Sequence, residues 1–439
     1  MRTMQTSSTR QWSVRQALPV FSVLLMLAPS AFAGDVANDP TQSPTTESVL
    51  YNFTTTYSNP FSSLTADAAG NLYGTAFDGT KYPNGAVFEL SRDKNTWQEK
   101  PLVVFNGKNG RYPSGQMVFD PQGNLYGSTV EGGDGPCPDG CGVIFELSPS
   151  AGGVWKYMIL YSFQNGNDGA TPGNNLLLDP SGNLYGTTDF TSGPASNGTV
   201  FELEHPAQQN ESWTLKTLFI FNGTDGFTPN SLTFSGGALY GTTSEGGSSN
   251  FTGTVFRLKP ANGTWNYTLV YAFTGGADGG FPDNIVSSGT SNVLYGTAGG
   301  GASTYGVIFE IAPDSSGTWT ESVLYNFTGG ADGAIPGPLS VAGPDRLFGT
   351  TNSGGDASAC SFMYPYLGCG VVFEFVPSTA TETVLHAFTG PPSDGGGPYS
   401  SGVILDQGAL YGTTYYGGNG QCSNGTEVVG CGTVYTLSP

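Results

Sequence analysis

The sequence predicts an all-β fold, a seven-bladed β-propeller of four-stranded antiparallel blades, and three observations carry this prediction. A Leu-Tyr-Gly-Thr motif recurs at intervals of 53 to 63 residues, a spacing typical of propellers and other repeat arrays. Three further strand-like segments accompany each copy, which is the content of one propeller blade. The last copy lacks its fourth strand, and a matching segment stands near the other end of the chain.

The motif is predicted to be the second strand of each blade. Its seven copies, with Ser for Thr in one and Phe for Tyr in another, are Leu72–Thr75, Leu125–Ser128, Leu184–Thr187, Leu239–Thr242, Leu294–Thr297, Leu347–Thr350 and Leu410–Thr413. A short apolar run, the first strand, and a turn precede it. The turn residues Asp179-Pro180-Ser181-Gly182-Asn183 are typical, because Pro and Gly favour a tight reversal.

The third and fourth strands follow a glycine-rich loop. The third strand is 87–90 in the first copy and 434–437 in the last, and the fourth strand ends in Phe, as at Phe105. No fourth strand follows 437, but residues 47–53 repeat the sequence of the fourth strand at 321–327. We therefore expect the N-terminal strand 47–53 to complete the last blade and close the ring, since a linear array would expose a sheet edge.

The N-terminal 33 residues have the pattern of a secretory signal peptide. Arg2, Arg10 and Arg15 precede an apolar run from Ala17 to Leu27, and Ala31-Phe32-Ala33 is a small-x-small cleavage site. Residues 34–46 are polar and are predicted to form a flexible linker, and 47–439 to form the propeller as a single domain. Cleavage near Ala33 predicts a secreted, periplasmic or cell-surface protein without a membrane span in its mature chain.

The excess of acidic over basic residues limits the classes of partner that the chain is expected to bind. The full chain carries 14 basic and 34 acidic residues, a net charge of −20, and removal of 33 residues with three arginines leaves −23. Nucleic acid and anionic lipid are disfavoured, because both are bound through Lys and Arg. We expect a glycan or an extracellular protein as partner, and a monomeric chain.

The repeat as a whole resembles a known family. The pattern Asp-x-x-Gly-Asn-Leu-Tyr-Gly-Thr-Thr, then Gly-Gly, then Gly-Val-Phe-Glu-Leu, is similar to the GloVer (Gloeobacter/Verrucomicrobia) tandem repeat of bacterial exported proteins. The resemblance extends over 47–439. It implies an exported, propeller-like protein and brings no catalytic residues with it.

Six cysteines lie in the loops between second and third strands, two in each of three blades. Fifteen pairings are possible, but the equivalent placement favours the local disulfides Cys137–Cys141, Cys360–Cys369 and Cys422–Cys431. An exported chain meets the oxidising conditions that such bonds need. A zinc site is disfavoured because no histidine accompanies the cysteines.

The same loops are the predicted binding surface. They are longest in blades 2, 6 and 7, and long ordered loops on a rigid scaffold are common binding sites. Four aromatic residues in them suit stacking on sugar faces or contact with a peptide: Tyr364, Tyr366, Tyr415 and Tyr416. The alternative is that these rings pack against their own loops.

Five Asp-Gly pairs recur between blades, each shortly before a proline. The aspartates are Asp168, Asp225, Asp278, Asp332 and Asp394. Up-and-down topology would place them on the same face as the stapled loops, where they could bind sugar hydroxyls or calcium. The alternative is a repeated Asp-Gly turn. No cofactor is predicted, and calcium is the one candidate ion.

These features favour an exported binding module and leave two alternatives open. One is a secreted hydrolase or lyase acting on polysaccharide with two carboxylates, drawn from Asp356, Glu131 or the inter-blade aspartates. Such a carboxylate should be buried, should face the channel and should be absent from other blades. The other alternative is a structural envelope protein. An enzyme is disfavoured, because no serine has a nucleophile context and His386 stands where other blades carry Tyr.

Overall fold

The computed structural model describes residues 46–438 apart from 57, 95, 191–196, 209–210, 248–249, 290–292, 301–304, 357, 361–367, 399–400 and 426. The chain divides into two units, residues 1–35 and 36–439, and all described residues belong to the second. The predicted signal peptide lies outside the described residues, as does the predicted linker except Thr46. Among the residues described, no helix has the length and apolar character needed to cross a membrane.

The described strands form seven antiparallel sheets of four or five strands, which are the seven blades of a propeller, and one further sheet of two short strands. Blade 1 contains β2 (Ser58–Pro60), β3 (Thr65–Ala66), β4 (Leu72–Asp78), β5 (Ala86–Asp93) and β6 (Thr96–Val104), and blade 2 contains β7 (Arg111–Phe119), β8 (Leu125–Glu131), β9 (Val143–Ser150) and β10 (Val154–Ser162). Blade 3 contains β11 (Leu177–Leu178), β12 (Leu184–Thr188), β13 (Thr199–Glu204) and β14 (Thr214–Ile220), and blade 4 contains β15 (Phe227–Ser235), β16 (Ala238–Glu245), β17 (Thr254–Ala261) and β18 (Thr264–Ala272).

Blade 5 contains β19 (Gly280–Ser287), β20 (Leu294–Gly300), β21 (Val307–Pro313) and β22 (Trp319–Asn326). Blade 6 contains β23 (Ala334–Pro336), β24 (Ser340–Gly343), β25 (Arg346–Ser353), β26 (Val371–Val376), a single 3-10 turn (Pro377–Thr379) and β27 (Thr381–Ala387). Blade 7 contains β29 (Ile404–Asp406), β30 (Ala409–Thr414), β32 (Thr433–Ser438) and β1 (Thr46–Asn52), and the short strands β28 (Gly395–Gly396) and β31 (Tyr416–Gly417) pair beside it. The predicted fold class is confirmed.

The N-terminal strand closes the ring. β1 pairs antiparallel with β32, from Thr46 opposite Ser438 to Asn52 opposite Thr433. The sheet of blade 7 therefore has the order β29-β30-β32-β1. It contains both ends of the described chain, so each blade has two blades as neighbours.

The Leu-Tyr-Gly-Thr motif stabilises the blades, and its leucine, glycine and threonine residues each make a different kind of contact. In blade 2, Leu125 is fully buried. Gly127 lies under the ring of Phe145 on the third strand, where an added Cβ would come within 2.5 Å of the Phe145 ring. The glycine thus makes room for a ring. In blades 4 and 5 it also makes room for first-strand backbone, since an added Cβ at Gly241 or Gly296 would lie 2.7 or 2.6 Å from the carbonyl oxygen of Ser231 or Asn284. Motif threonines reach the next blade, as Thr187 Oγ1 donates to the Asn230 carbonyl at 3.0 Å and Thr413 Oγ1 to the Ser62 carbonyl at 3.1 Å.

Each blade is also joined to the next by a recurring backbone contact, which we call the junction clasp. A residue in the left-handed conformation precedes the proline of the innermost strand, and its N–H donates to the loop before the third strand of the preceding blade. Thr171 (φ 58°), for example, donates to the carbonyl of Cys141 at 2.9 Å. The proline itself packs on the glycine that opens that third strand, as Pro172 does on Gly142. The clasp residues are Asn59, Tyr112, Thr171, Thr228, Phe281, Ile335 and Gly397.

Candidate functional site

The clasp brings the inter-blade loops and the loops between second and third strands onto one face, which we call the loop face. Thr171, Gly397 and Asn59 donate to the carbonyls of Cys141, Cys369 and Cys431. The three disulfides join Cys137 to Cys141, Cys360 to Cys369 and Cys422 to Cys431, as predicted. The second cysteine of each pair therefore ties a long loop directly to a blade junction.

A polar cavity of about 170 Å³ lies in the central channel near the loop face. The residues around it come from the start of the innermost strands of six blades. They are Phe61, Ser62, Ser114, Gly115, Gly173, Asn174, Asn175, Asn230, Ser231, Asp283, Asn284 and Pro338. A ring of small and amide residues thus replaces the apolar packing found between the blades.

The amides of the channel are held in position by neighbouring blades. Asn174 Nδ2 donates to the Pro229 carbonyl, and Asn230 Nδ2 to the Pro282 carbonyl, both at 3.0 Å. Asn284 exchanges two hydrogen bonds of 3.1 Å with the main chain of Leu339. Because both ends of these side chains are constrained, the polar wall is preorganised.

One side of the channel mouth is aromatic. A continuous series of ring contacts joins blade 7 to blade 2: Tyr416 to Tyr415 (4.7 Å between centroids), Tyr415 to Phe61 (6.2 Å), Phe61 to Phe77 (5.4 Å) and Phe77 stacked on Tyr112 (4.6 Å). All five rings are half-buried. We call this series the aromatic wall, and it includes Phe61, which also lines the cavity.

The aromatic wall continues to the stapled loop of blade 2. The Arg111 guanidinium lies over the Tyr112 ring, 4.3 Å from its centroid. The same guanidinium contacts the carboxylates of Glu131 at 3.1 Å and Asp139 at 3.0 Å. Asp139 lies inside the loop that Cys137 and Cys141 close, so this loop and the wall form one connected surface.

The opposite side of the mouth contains two carboxylic acids that sequence reasoning missed. Asp283, from β19, lines the cavity, and burial raises its pKa to about 6. Asp189 follows β12 and lies near the cavity residue Asn174, and burial raises its pKa to about 7 although the Asn174 side chain acts to lower it. The equivalent positions in other blades carry no acid, for example Asn230 for Asp283 and Ser244 for Asp189. A comparison of the repeats at these two positions would have found both residues.

Of the predicted aromatic residues, Tyr415 and Tyr416 lie in the aromatic wall beside the channel. Tyr364 and Tyr366 lie outside the described residues, so their predicted role in binding stays a prediction. The two carboxylates named for possible chemistry lie elsewhere. Asp356 is exposed and accepts hydrogen bonds from Ser358, and Glu131 is paired with Arg111.

The five inter-blade aspartates brace their own loops. Asp168 accepts hydrogen bonds from the Tyr161 hydroxyl at 3.0 Å and from the Gln164 N–H at 2.7 Å. Asp278 accepts a hydrogen bond from the Tyr271 hydroxyl, and Asp332 accepts one from the Tyr325 hydroxyl. In blade 6 the donor to Asp394 is His386, at 3.1 Å. Asp225 accepts a hydrogen bond from the Asn222 N–H. These bonds serve the turn, and the predicted contact of the five residues with a ligand stays a prediction.

One inter-blade acid cluster has the composition of a metal site. Potential ligand atoms of Glu47, His386 and Asp394 lie within 4.8 Å of one another. Glu321 with Asp278, and Glu382 with Asp332, repeat the pair of acids, with Tyr in place of His. The recurrence marks the cluster as part of the blade junction, and calcium stays a prediction.

Fold and cavity together define the class: a seven-bladed propeller with a polar channel open at the loop face. The chain belongs to the Gloeobacter/Verrucomicrobia repeat family, whose model matches residues 38–229 and 138–363. No curated protein matches it.

Several solved structures are similar to this chain at low sequence identity. A puromycin-hydrolysing peptidase of Mycobacterium tuberculosis has a TM-score of 0.50 and 11% identity over 83% of this chain and 52% of its own. A GH74 enzyme of Niastella koreensis has a TM-score of 0.47 and 17% identity, and the match covers 78% of this chain and 47% of that enzyme. An α-L-arabinofuranosidase of Fusarium graminearum, in complex with an iminosugar inhibitor, has a TM-score of 0.45 and 14% identity. The match covers 78% of this chain and 97% of that enzyme. This chain spans about half of the first two. The peptidase, at a TM-score of 0.50 and 11% identity, shows likeness of fold alone.

Proposed function

We propose that this protein is an exported binding module that recognises a glycan at the mouth of its central channel. The observation that carries the proposal is the two-sided mouth, with the aromatic wall on blades 7, 1 and 2 and fixed amides on blades 3, 4 and 5. A sugar has the same division, since its C–H faces stack on aromatic rings while its hydroxyls need hydrogen-bond partners.

The size of the cavity favours a glycan over a folded protein as the group that enters. A dry cavity of about 150 Å³ holds one benzene ring, and the channel cavity of about 170 Å³ is comparable. A ring-sized group of a sugar can therefore enter, and the rest of that residue and its neighbours in a chain would extend over the aromatic wall and the stapled loops. A protein partner would touch only the rim.

Export is part of the same proposal. Three disulfides within loops are typical of a protein that folds in an oxidising compartment. Mass spectrometry of the protein recovered from outside the cytoplasm should give an N-terminus at Gly34. An N-terminus at Met1 in that fraction would contradict the predicted cleavage.

The binding test uses a glycan array followed by calorimetry with the best neutral oligosaccharide. We expect Phe61→Ala and Tyr415→Ala to weaken binding by about tenfold or more each, as loss of a stacking ring at a binding centre does. The matched control is Phe251→Ala, because Phe251 is 60% exposed and does not line the cavity. Absence of any glycan ligand, or equal losses in all three variants, would refute the proposal.

A second candidate is an enzyme acting on the bound glycan, and one observation favours it. Asp283 and Asp189 are half-buried acids near the channel, at positions where the other blades carry no acid. Incubation of the array ligand with the protein should then release reducing ends, and Asp283→Asn should abolish the release. A ligand recovered intact after prolonged incubation would eliminate this candidate and leave the binding module standing.

A further inference from the structure

Asp283 differs from every other residue around the channel cavity. It is the only ionisable side chain among the described residues that line it. The other lining residues are Ser, Asn, Gly, Phe and Pro. A negative charge therefore stands in a wall that is otherwise uncharged.

Among the residues that the structure describes, none is a partner of the Asp283 carboxylate. Its main-chain carbonyl accepts from Thr242 Oγ1 at 3.2 Å, but no hydrogen bond or ion pair of its side chain occurs within the described part of the chain. The amides beside it are tied to neighbouring blades, as Asn284 is to Leu339. Asp283 is half-buried, so its unpaired carboxylate faces the cavity and is accessible to a hydrogen-bond donor supplied by a ligand.

The charge state of Asp283 determines which kind of ligand group its carboxylate can bind. Burial alone raises its pKa to about 6, so the carboxylate is ionised at neutral pH. An ionised carboxylate accepts hydrogen bonds and cannot donate one. The bonds are strongest when the donor is a cation.

Asp189 adds a second carboxyl on the same side of the mouth. It lies near the cavity residue Asn174, whose amide lines the wall. The whole chain is strongly acidic, with a net charge of −20. Such a field raises the local concentration of cationic ligands and lowers that of anionic ones.

We propose that the ligand of the channel carries a protonated amine, so that the site prefers amino sugars of the glucosamine type over neutral, N-acetylated or uronic-acid counterparts. This inference rests on the proposed glycan-binding function. The ammonium group would lie against Asp283, and the sugar faces would lie on Phe61 and the aromatic wall.

The test is calorimetry of the full-length chain at about pH 6.5, which lies above the pKa of about 6 of Asp283 and in the range where glucosamine amines are protonated. The ligands are the tetrasaccharides of glucosamine, of N-acetylglucosamine, of glucose (cellotetraose) and of galacturonate. We expect the glucosamine oligomer to bind about tenfold or more tighter than cellotetraose, the gain typical of one charge-assisted contact. Asp283→Asn should remove this preference, so that the variant binds the glucosamine oligomer and cellotetraose with similar affinity. Asp356→Asn, which removes an exposed charge from the loop face, is the matched control and should keep the preference.

The outcomes separate this inference from the proposed function. Binding of cellotetraose with no preference for glucosamine, or a preference that survives Asp283→Asn, would overturn the inference and leave the glycan site standing. Failure of all four sugars to bind, together with a glycan array that yields no ligand, would overturn both. A titration with calcium chloride completes the experiment, and calcium binding that is lost in Asp283→Asn would overturn the inference in favour of a metal ion.

Discussion

The blade junctions and the channel wall are built from the same repeats, but the residues at the junctions make recurring contacts whereas the residues of the channel wall differ from blade to blade. At the junctions the same contact recurs in blade after blade, as Pro172 on Gly142 and Pro282 on Gly253 show. In the channel, the residue after each such proline changes, from Phe61 to Ser114 to Asp283. The repetition maintains the ring, and the divergence gives the mouth its aromatic and polar sides.

The largest expected effect comes from breaking one junction. An added Cβ at Gly142 (φ 94°) would lie 2.4 Å from Pro172 Cδ and 2.5 Å from the Thr129 carbonyl oxygen. Gly142→Ala should therefore lower the free energy of unfolding by more than about 3 kcal/mol, measured by urea denaturation. At Gly173, on the channel side of the same proline, the nearest atom is Val130 Cγ2 at 3.1 Å. Gly173→Ala should cost less than about 1 kcal/mol, and equal losses would show that junction and channel do not differ in tolerance.

The disulfides should rank next, because each ties a long loop to a junction. Replacing Cys360 and Cys369 together with alanine opens a loop with a sequence separation of 9, against 4 for Cys137 and Cys141. The chain-entropy model gives a loss of about 2–3 kcal/mol for the longer loop and about 2 kcal/mol for the shorter. The melting temperatures of the two double variants test this order. The reverse order would mean that strain or loop packing, and not loop length, determines their contribution.

A smaller effect is expected from pH, through carboxyl groups at the junctions. Burial raises the pKa of Glu47, Glu99, Glu321 and Glu382 to about 7 each, with Asp394, Asp278 and Asp332 adding to the effect on Glu47, Glu321 and Glu382. Because the folded chain holds these protons more tightly than the unfolded chain, their stabilisation is complete below the unfolded pKa near 4.3 and is lost as pH rises through 7. The melting temperature should fall by a few degrees between pH 5 and pH 8.

The variant Glu321→Gln should flatten this pH dependence, since it removes one of the titrating groups. Glu211→Gln, at an exposed position, should leave the profile as it is. A melting temperature that rises from pH 5 to pH 8 would contradict the assignment of these groups.

The smallest expected effect sharpens the comparison within the scaffold. Tyr435 occupies the third-strand position where the other blades carry Phe, and its fully buried hydroxyl has no partner among the described residues. Tyr435→Phe should raise the free energy of unfolding by about 1 kcal/mol, because an unsatisfied buried hydroxyl is removed. The reverse change, Phe201→Tyr, should destabilise the protein, and a loss of stability in Tyr435→Phe would imply that the hydroxyl has a use in the blade.

The parts of the structure that repeat could be predicted from the sequence. Seven copies of Leu-Tyr-Gly-Thr, the Phe that ends each fourth strand and the missing last strand gave the blades, their number and the closure by β1. The local disulfides followed from their equivalent placement in three blades. Each of these features is visible because one copy confirms another.

The candidate site could be predicted only in part, because it consists of single residues that interrupt the repeat. Tyr415 was found through its position in a long loop, whereas Asp189 and Asp283 were missed because their neighbours in sequence are ordinary repeat residues. The inter-blade aspartates drew attention by recurring, yet recurrence reflects the turn that each of them braces. What the sequence does not show is which side chains the ring brings to one cavity, since that depends on the closure of all seven blades.

The pairing of Thr46 with Ser438 also has a kinetic consequence. Contacts between residues so distant in sequence form late, because the intervening chain must first be ordered. Until β1 reaches β32, blade 7 presents an unpaired strand edge on which another chain could add. The ring is therefore most vulnerable to aggregation at the last step of folding, when six blades can already be formed. A variant weakened only in β1 should populate that open ring, and its aggregation should be suppressed by a peptide with the sequence of residues 46–52.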